Sequence, residues 1–363
     1  MNYPRWIKDA PVHSPDAPGP SLPELIDSES ELDEVQTRPP SALIELFRTL
    51  PGPLLILGAG GKMGPSLARL ARRASEAAGN RIEVIAASRF SDAASRAWLE
   101  EHGVQTHSVD LLDPDALHVL PDAPDIIYLV GLKFGTGQNP ALTWAVNTQA
   151  PAHVCRSFPK SRIVALSTGN VYPLTAVSRG GADEADPLTP LGEYANAAVA
   201  RERVFQFYSE RLDVPLVLLR LYYAVELRYG VLVDIARKVH GEETIDLRNG
   251  HVTCIWQGDA NEMILRALTL ARSPAEVFNL CRPEVYRVRE VATKLGVLLG
   301  REPRFVGQET DTAIIGNAAK LCAALGPPSV EMETMLRWIA HWVKGGGRSL
   351  GRPTHFETRD GRY

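Results

Sequence analysis

One stretch decides the fold: Leu54-Leu55-Ile56-Leu57-Gly58-Ala59-Gly60-Gly61-Lys62-Met63-Gly64. Four apolar residues of strand length come first, and glycines follow at positions 58, 61 and 64. Between a strand and a helix, such glycines permit a tight turn, let a pyrophosphate approach the backbone, and let the helix pack closely. Unpaired N–H groups at the helix N-terminus favour an anion. The stretch predicts a dinucleotide site formed by Gly58, Gly60, Gly61, Lys62, Met63 and Gly64.

Apolar runs of strand length alternate with helical patterns over the next 160 residues or so. The predicted strands are 54–57, 82–87, 125–130, 162–166 and 214–219, and the predicted helices are 63–78, 143–158 and 192–211. This alternation indicates an α/β fold, a Rossmann-like doubly wound parallel sheet with a smaller C-terminal substrate-binding lobe.

Composition changes along the chain suggest four parts. Ten of the 27 prolines fall within the first 53 residues, and no basic residue lies between Lys8 and Arg38. We therefore expect residues 1–40 to be a flexible, proline-rich acidic arm. An NAD(P)-binding Rossmann domain at 41–220 begins with a helix that the Pro51-Gly52-Pro53 run ends. A mixed α/β lobe at 221–344 has elements returning to the core and a closing helix at 335–343, and a polar tail occupies 345–363.

The composition excludes several classes of protein. With 39 Lys+Arg against 43 Asp+Glu, the net charge is -4, so no basic footprint for nucleic acid is present. The four cysteines form no CxxC pair, and the histidines show no metal-ligand spacing, so we expect neither a disulfide framework nor a metal. No apolar run reaches the length of a membrane helix. These features favour a cytoplasmic protein without a membrane or nucleic-acid partner.

The end of the second predicted strand bears on the choice of cofactor. NAD-binding folds usually place a carboxylate there to accept the ribose hydroxyls, but this chain has Ala87-Ser88-Arg89. A guanidinium suits a phosphate, so Arg89, beside Ser88 and helped by Lys62, predicts NADP rather than NAD. NAD remains the alternative, with Arg89 as a solvated charge.

Later segments carry a resemblance to a known family. They are Val109-Asp110-Leu111, Gly131-Leu132-Lys133, Asn147, Ser167-Thr168-Gly169-Asn170-Val171-Tyr172, Glu193-Tyr194 and Glu202. From Leu54 to Trp342 the chain resembles the extended short-chain dehydrogenase/reductase family, the NAD-dependent epimerase/dehydratase group. The resemblance implies that Tyr194 is the catalytic tyrosine and Thr168 the catalytic hydroxyl. It also implies cofactor contacts by Asp110, Leu111, Gly131, Lys133, Asn147 and Tyr194.

The chain departs from the family at one catalytic position. The family motif YxxxK would place a lysine four residues after Tyr194, but Ala198 stands there. In the family this lysine holds the nicotinamide ribose and lowers the pKa of the tyrosine. We consider Lys133 a candidate catalytic substitute for it; the alternative is that Lys133 only contacts the dinucleotide.

The segments expected to bind substrate also depart from the family pattern. Tyr223 replaces an asparagine of the family, and neither Val252–Trp256 nor Glu309–Asp311 contains the arginine that binds a substrate diphosphate there. The resemblance places Thr168, Asn170 and Tyr223 at the substrate, which we expect to be an unactivated sugar, a sugar acid or a related polyol. Arg228, Arg248 and Arg282 are alternative ligands for an anionic group, or else ordinary surface charges.

Three functions remain open from the sequence. The first is an NAD(P)-dependent epimerase or dehydratase acting at a carbinol carbon of a carbohydrate-like substrate. The second is an NADP-dependent dehydrogenase or reductase of a small non-nucleotide substrate. The third is an NADP-binding scaffold or redox-sensing protein with little or no catalysis, which the alanine at position 198 favours. By resemblance, we expect a homodimer formed through the helices near 143–158 and 192–211.

Overall fold

A computed structural model describes residues 22–132, 138–352 and 354–361. The strands are β1 Leu54–Leu57, β2 Val84–Ser88, β3 Gln105–Ser108, β4 Asp125–Tyr128, β5 Arg162–Thr168, β6 Thr175–Ala176, β7 Leu216–Leu221, β8 Tyr223–Val225, β9 Thr244–Asp246, β10 His251–Val252, β11 Cys254–Trp256, β12 Glu276–Leu280, β13 Tyr286–Arg287, β14 Arg304–Val306 and β15 Thr312–Ala313. The α-helices are α1 Glu29–Gln36, α2 Ser41–Thr49, α3 Gly64–Ala78, α4 Ala93–Glu101, α5 Pro140–Ser157, α6 Glu193–Leu212, α7 Val231–His240, α8 Gln257–Arg266, α9 Val288–Leu299, α10 Ala319–Leu325 and α11 Met332–Lys344.

A seven-stranded parallel sheet forms the centre of the molecule. Its strand order is β12-β7-β5-β4-β1-β2-β3. Strand β1 pairs with β2 on one side and with β4 on the other, Leu54 standing opposite Val84 and Asp125. The strand order therefore reverses between β1 and β4, and a crevice opens at the carboxyl ends of these strands. The predicted fold class is confirmed.

Helices cover both faces of the sheet. Alternate residues of β1 point to opposite faces. Leu54 and Ile56 share a core cluster with residues of α3, including Leu67. Leu55 and Leu57 share another cluster, which includes Val154 of α5 and Phe205 of α6. Because both faces are buried, β1 consists entirely of apolar residues, and this is why its run is so clear in the sequence.

A second core lies in the C-terminal lobe. Helices α7, α9 and α11 pack together there, with Trp338 of α11 against Trp256 at a ring-centroid distance of 5.1 Å. Strand β12 leaves the lobe and joins the sheet beside β7, where Phe278 pairs with Leu219. The lobe is thus connected to the sheet by a late strand that the sequence patterns did not reveal.

The N-terminal segment differs from the expected flexible arm over residues 22–40. Ser28 caps α1 by accepting a hydrogen bond from the Glu31 amide at 3.1 Å. Ile26, Leu32 and Val35 are buried in the lobe core. Three apolar side chains therefore fix this short, otherwise polar segment on the lobe. The remainder of the predicted arm, residues 1–21, lies outside the described residues.

The C-terminal tail follows the surface of the lobe and then leaves it. Thr354 donates from its amide and its hydroxyl to Asp234 of α7, at 2.7 and 2.6 Å. Arg359 donates to the Thr312 carbonyl at 2.7 Å. Gly361 then packs against the backbone of Gly192, immediately before α6. None of the helices within the described ranges is long and apolar enough to cross a membrane.

Candidate dinucleotide and catalytic site

The glycine-rich turn between β1 and α3 provides a surface of bare backbone. Gly58 has φ +83°, and a Cβ built there would lie 2.8 Å from Val130 Cγ2. A Cβ on Gly60 would lie 2.8 Å from Ser88 Oγ, and one on Gly64 would lie 2.2 Å from the carbonyl oxygen of Ala59. No side-chain cap bonds the first turn of α3, so its N-terminal amides are not occupied by a capping side chain. A dinucleotide pyrophosphate fits such a turn.

The turn opens onto a cavity of about 230 Å³ at the carboxyl ends of β1, β2 and β4. Many of the residues predicted from the sequence meet there: Gly58, Gly60, Gly61, Ser88, Arg89, Asp110, Leu111 and Gly131. Val109, from the segment that carries the family resemblance, also lines the cavity, whereas seven further lining residues were not predicted: Phe90, Ser91, Leu112, Leu129, Val130, Val146 and Ala150. Most of these additional residues directly follow a strand or lie on α5, a position that the strand boundaries could have indicated.

Arg89 lies at the mouth of this cavity with its side chain exposed. Asp110 lies on the neighbouring segment and accepts a hydrogen bond from the Leu112 amide at 3.0 Å. No ion pair among the described residues includes Arg89, so its guanidinium is available to an anion. The cavity wall beyond β2 and β3 therefore carries one cation and one fixed carboxylate.

Lys62 does not lie beside Arg89, where we predicted that it helps to bind a phosphate. It does not line the cavity beside Arg89; its ammonium donates to the Ala224 carbonyl at 2.7 Å and lies 4.4 Å from the centroid of the Tyr229 ring. Lys62 therefore connects the glycine-rich turn with the start of the lobe. Burial raises the pKa of Tyr229 to about 12, and the charges of Asp234 and Tyr194 add to that rise.

The two predicted catalytic residues end β5 and begin α6. Thr168 is the last residue of β5, and its hydroxyl accepts a hydrogen bond from the Asn170 amide at 3.2 Å. Tyr194 is the second residue of α6 and is 7% exposed. Because β5 lies next to β4 in the sheet, Thr168 falls at the same carboxyl edge as the cavity. Lys133, the predicted substitute for the missing lysine, lies outside the described residues.

Ala198 lies in an apolar cluster rather than at a polar surface. It is fully buried with Val171, Tyr172 and Tyr222. The cluster surrounds the position at which the family carries its lysine. An ammonium at position 198 would therefore enter an apolar environment and lose solvation.

A buried ion pair lies beneath the two predicted catalytic residues. Arg220 Nη2 donates to Glu202 at 2.7 Å, and Ser167 Oγ donates to the same carboxylate at 2.5 Å. Arg220 also donates to the Tyr172 hydroxyl at 2.5 Å. Burial alone would lower the pKa of Arg220, but the hydrogen bonds and the charge of Glu202 outweigh burial and raise it. The pair fixes α6 to β5 and β7, and so orients Tyr194 and Thr168.

The arginines considered for an anionic substrate group have protein partners. Arg228 pairs with Glu226, Glu29 and Asp33. Arg282 pairs with Glu284 and also donates to the Val330 carbonyl at 2.6 Å. These two side chains are largely buried, and their partners already satisfy their charge. Arg248 is exposed and pairs with Asp246. Within the described ranges, no group of three potential metal ligands comes together.

The remaining predicted residues have varied surroundings. Asn147 is fully buried and accepts a hydrogen bond from Arg201 at 3.0 Å, so it lies behind the cavity wall rather than on it. Tyr223 stands in β8, paired with Cys254 of β11. Helices α5 and α6 expose Trp144 and Phe207 on their outer sides, where dimer contacts are expected; the homodimer stays a prediction.

Residues 54–281 match the sequence profile of the NAD-dependent epimerase/dehydratase family. The chain belongs to this family. The family predicted from the sequence is thereby confirmed, and its cofactor is a nicotinamide dinucleotide. Comparison with proteins of curated function found no significant sequence match.

Solved structures with the same fold are numerous. The chain is similar to a UDP-glucose 4-epimerase from Thermus thermophilus in complex with NAD, at 19% identity and a TM-score of 0.64, with 81% of this chain and 99% of the other covered. It is also similar to a dTDP-glucose 4,6-dehydratase from Bacillus anthracis in complex with NAD, at 16% identity and a TM-score of 0.68, covering 80% and 96%. A UDP-glucuronic acid 4-epimerase from Bacillus cereus in complex with NAD gives 17% identity and a TM-score of 0.68, covering 80% and 98%. At these identities the structures show the shared fold.

Proposed function

We propose that this protein is an NAD(P)-dependent enzyme of the epimerase/dehydratase type that acts at a carbinol carbon of a sugar, sugar acid or related polyol. One observation carries the proposal: a cradle of bare backbone at β1 and α3 shares one sheet edge with a threonine that ends β5, and a buried tyrosine begins the adjoining helix α6. Similar structures of the same fold hold NAD and act on nucleotide sugars according to their names. In this chain we assign the cofactor to the glycine cradle and the substrate to the hydroxyls of Thr168 and Tyr194.

For the cofactor, we favour NADP. Arg89 lines the cavity where β2 ends, and no carboxylate follows that strand before Asp92. A guanidinium forms two parallel hydrogen bonds with a phosphate, and this geometry suits a 2′-phosphate. Asp110 lines the same cavity but is held by the Leu112 amide, so it competes less well for ribose hydroxyls. NAD is the alternative, and the similar structures contain it.

In the proposed mechanism, Tyr194 exchanges a proton with the substrate hydroxyl, and Thr168 hydrogen-bonds the same oxygen. The bound nicotinamide supplies the chemistry of hydride transfer. Tyr194 lies at the start of a helix whose position is fixed by the Glu202–Arg220 pair, so its hydroxyl is held in place before substrate arrives. Lys133 remains our candidate for the cation that assists Tyr194.

For the substrate, we propose a molecule without a nucleotide diphosphate. The segments at 252–256 and 309–311 contain no arginine. Glu309 stands in the second of them and pairs with Arg287 and Arg289, so the two nearby arginines already have a carboxylate partner. Arg228 and Arg282 are committed to protein partners. An unphosphorylated polyol needs none of these charges.

The test compares Tyr194→Phe with Tyr208→Phe, a tyrosine of the same helix that packs on its outer part. The assay follows both conversion of the offered sugars, sugar acids and polyols to new products, by mass spectrometry and NMR, and net formation of reduced nicotinamide. We expect Tyr194→Phe to lose at least about 100-fold in rate with cofactor affinity unchanged, because loss of a general acid–base group has this size. Tyr208→Phe should retain its rate.

A contrary result would favour the scaffold alternative. In that case the native protein binds NADP but neither reduces it with any member of the substrate panel nor converts any of them to a product, and Tyr194→Phe leaves every biological readout unchanged. Retained, near-stoichiometric cofactor in the purified protein would instead indicate an internal redox cycle of the epimerase or dehydratase kind. A protein that exchanges cofactor at each turnover would be a dehydrogenase.

A further inference from the structure

Arg201 is a buried cation that the proposed mechanism leaves without a role. It lies on α6, seven residues after Tyr194 and three after Ala198, and is only 4% exposed. Its Nη1 donates to the Val130 carbonyl at 2.9 Å and to Asn147 Oδ1 at 3.0 Å. Its Nε is buried and has no hydrogen-bond partner among the described residues.

The surroundings of Arg201 lack a balancing charge. No carboxylate of residues 22–132, 138–352 or 354–361 forms an ion pair with it. Arg220 is buried at a similar depth nearby, and it does have such a partner in Glu202, at 2.7 Å. A buried guanidinium without an acid is unfavourable unless a negative or strongly polar group joins it. Arg201 is therefore unlike the other buried arginines of this chain, since Arg228 and Arg282 also have carboxylate partners.

Gly131 separates this guanidinium from the cofactor cavity. Gly131 lines the cavity, and a Cβ built on it would lie 2.5 Å from Arg201 Nη1. Only a residue without a side chain leaves room for the guanidinium directly behind the wall. This place follows β4, whereas Arg89 and Asp110 follow β2 and β3 on the opposite side of β1. In a doubly wound sheet the two halves of a dinucleotide bind on the two sides of β1.

We propose that Arg201 is a positioning residue: from behind the Gly131 segment of the cavity wall, its positive charge stabilises the nicotinamide half of the bound cofactor, on the side of the cleft where Ala198 provides no charge. The inference rests on the proposed function and extends it. Residues three apart lie on neighbouring positions of one helix face, and long helical side chains lean toward the helix N-terminus. Arg201 therefore starts from the helix face of Ala198, and its guanidinium ends at the Val130 carbonyl and Asn147, directly behind Gly131. The group that its charge stabilises through this wall is the phosphate next to the nicotinamide ribose.

The experiment measures dissociation constants for a series of probes of increasing length: ADP, ADP-ribose and NAD⁺, and the same three with a 2′-phosphate. Calorimetry is run on the native protein and on Arg201→Met, Arg201→Lys and Arg203→Met. Arg203 is the matched control, because it lies on the same helix but is exposed and pairs with Gln206. Thermal unfolding of each variant shows that it is folded.

We expect Arg201→Met to bind ADP as the native protein does, within about twofold, and to bind ADP-ribose and NAD⁺ about tenfold more weakly. Arg201→Lys should recover part of this loss, and Arg203→Met should bind all probes normally. An equal loss for ADP would overturn the inference, because it would mean that Arg201 only supports the cavity wall. Unchanged binding of every probe would also overturn it. If the native protein bound no nicotinamide dinucleotide at all, the proposed function would fail first and this inference with it.

Discussion

The two halves of the cleft are built in different ways. On the β2–β3 half, the site is mostly backbone: bare glycines, strand ends and the amides of α3, with Arg89 and Asp110 as charged side chains. On the β4–β5 half, the proposed site consists of side chains that come from distant segments, Thr168 and Tyr194, with Arg201 behind the wall. The glycine-rich turn follows the family pattern, although β2 ends without the usual carboxylate; the second half lacks the family lysine and contains a buried arginine with no ion-pair partner among the described residues.

The difference shows how a fold can retain a cofactor while its chemistry changes. A backbone cradle admits few substitutions, because a Cβ added at Gly58, Gly60 or Gly64 would lie 2.8 Å or less from another atom. A side-chain site has more solutions, because a charge can be delivered from another position of the same helix. Variation within the family is therefore easier on the catalytic half than on the glycine-rich half.

The largest expected effect comes from Gly58→Val. Valine at φ +83° is strained, and its Cβ would lie 2.8 Å from Val130 Cγ2 and 3.0 Å from the Val130 amide nitrogen. We expect cofactor affinity to fall about 1000-fold, or ~4 kcal/mol, by calorimetry. Gly79→Val is the control, since Gly79 has φ +71° but nothing within 4 Å of an added Cβ. An equal loss of affinity in both variants would mean that a general loss of stability, rather than crowding of the cradle, weakens binding.

The second-largest expected effect is a loss of stability on the β4–β5 half. Glu202→Gln removes the carboxylate from a pair in which Arg220 and Glu202 are 2% and 0% exposed. An uncompensated buried guanidinium should lower the free energy of unfolding by about 3 kcal/mol, measured by urea denaturation. Glu45→Gln breaks an exposed pair with Arg48 and should leave stability unchanged. A small effect of Glu202→Gln would mean that this half is not held by its buried ion pair.

The smallest expected effect is a change in the preference for NADP⁺ over NAD⁺, which we assign to the β2–β3 half of the cleft. Arg89→Met should reduce the preference for NADP⁺ over NAD⁺ by about tenfold, or ~1.4 kcal/mol, because one charge-assisted phosphate contact is lost. The ratio of the two dissociation constants is the measurement. Arg96→Met, on the exposed side of α4, serves as the control because Arg96 pairs with Glu100 and does not line the cavity. An unchanged ratio would show that Arg89 is a solvated charge and that NAD is the natural cofactor.

The sequence predicts the sheet well because its strands are buried on both faces. Strand β1 is observed at the predicted residues, and α2, α3, α5 and α6 begin within about three residues of their predicted starts. Apolar runs of this kind are visible without knowledge of any partner. The glycine-rich turn is equally local, and three of its six predicted residues, Gly58, Gly60 and Gly61, line the cavity.

The features that the sequence analysis missed depend on contacts between distant segments. Strand β3 has the polar sequence Gln105-Thr106-His107-Ser108, because it lies at the edge of the sheet. Helix α1 is held by Ile26, Leu32 and Val35 against a lobe that is formed about 200 residues later. Arg201 resembles any helical surface arginine in the sequence, and only the packing of α5, α6 and β4 shows that it is buried.

The small lobe is assembled from both ends of the described chain. Trp338 donates to the Pro23 carbonyl at 3.1 Å, and Arg348 pairs with Glu29 at 3.0 Å. During synthesis the sheet strands β1 to β7 leave the ribosome well before α11 does, and domains generally fold as units as they emerge. The apolar side chains of the N-terminal segment therefore remain exposed until almost the whole chain has been translated. The lobe is therefore completed late in the synthesis and folding of this enzyme, after its nucleotide cradle has formed.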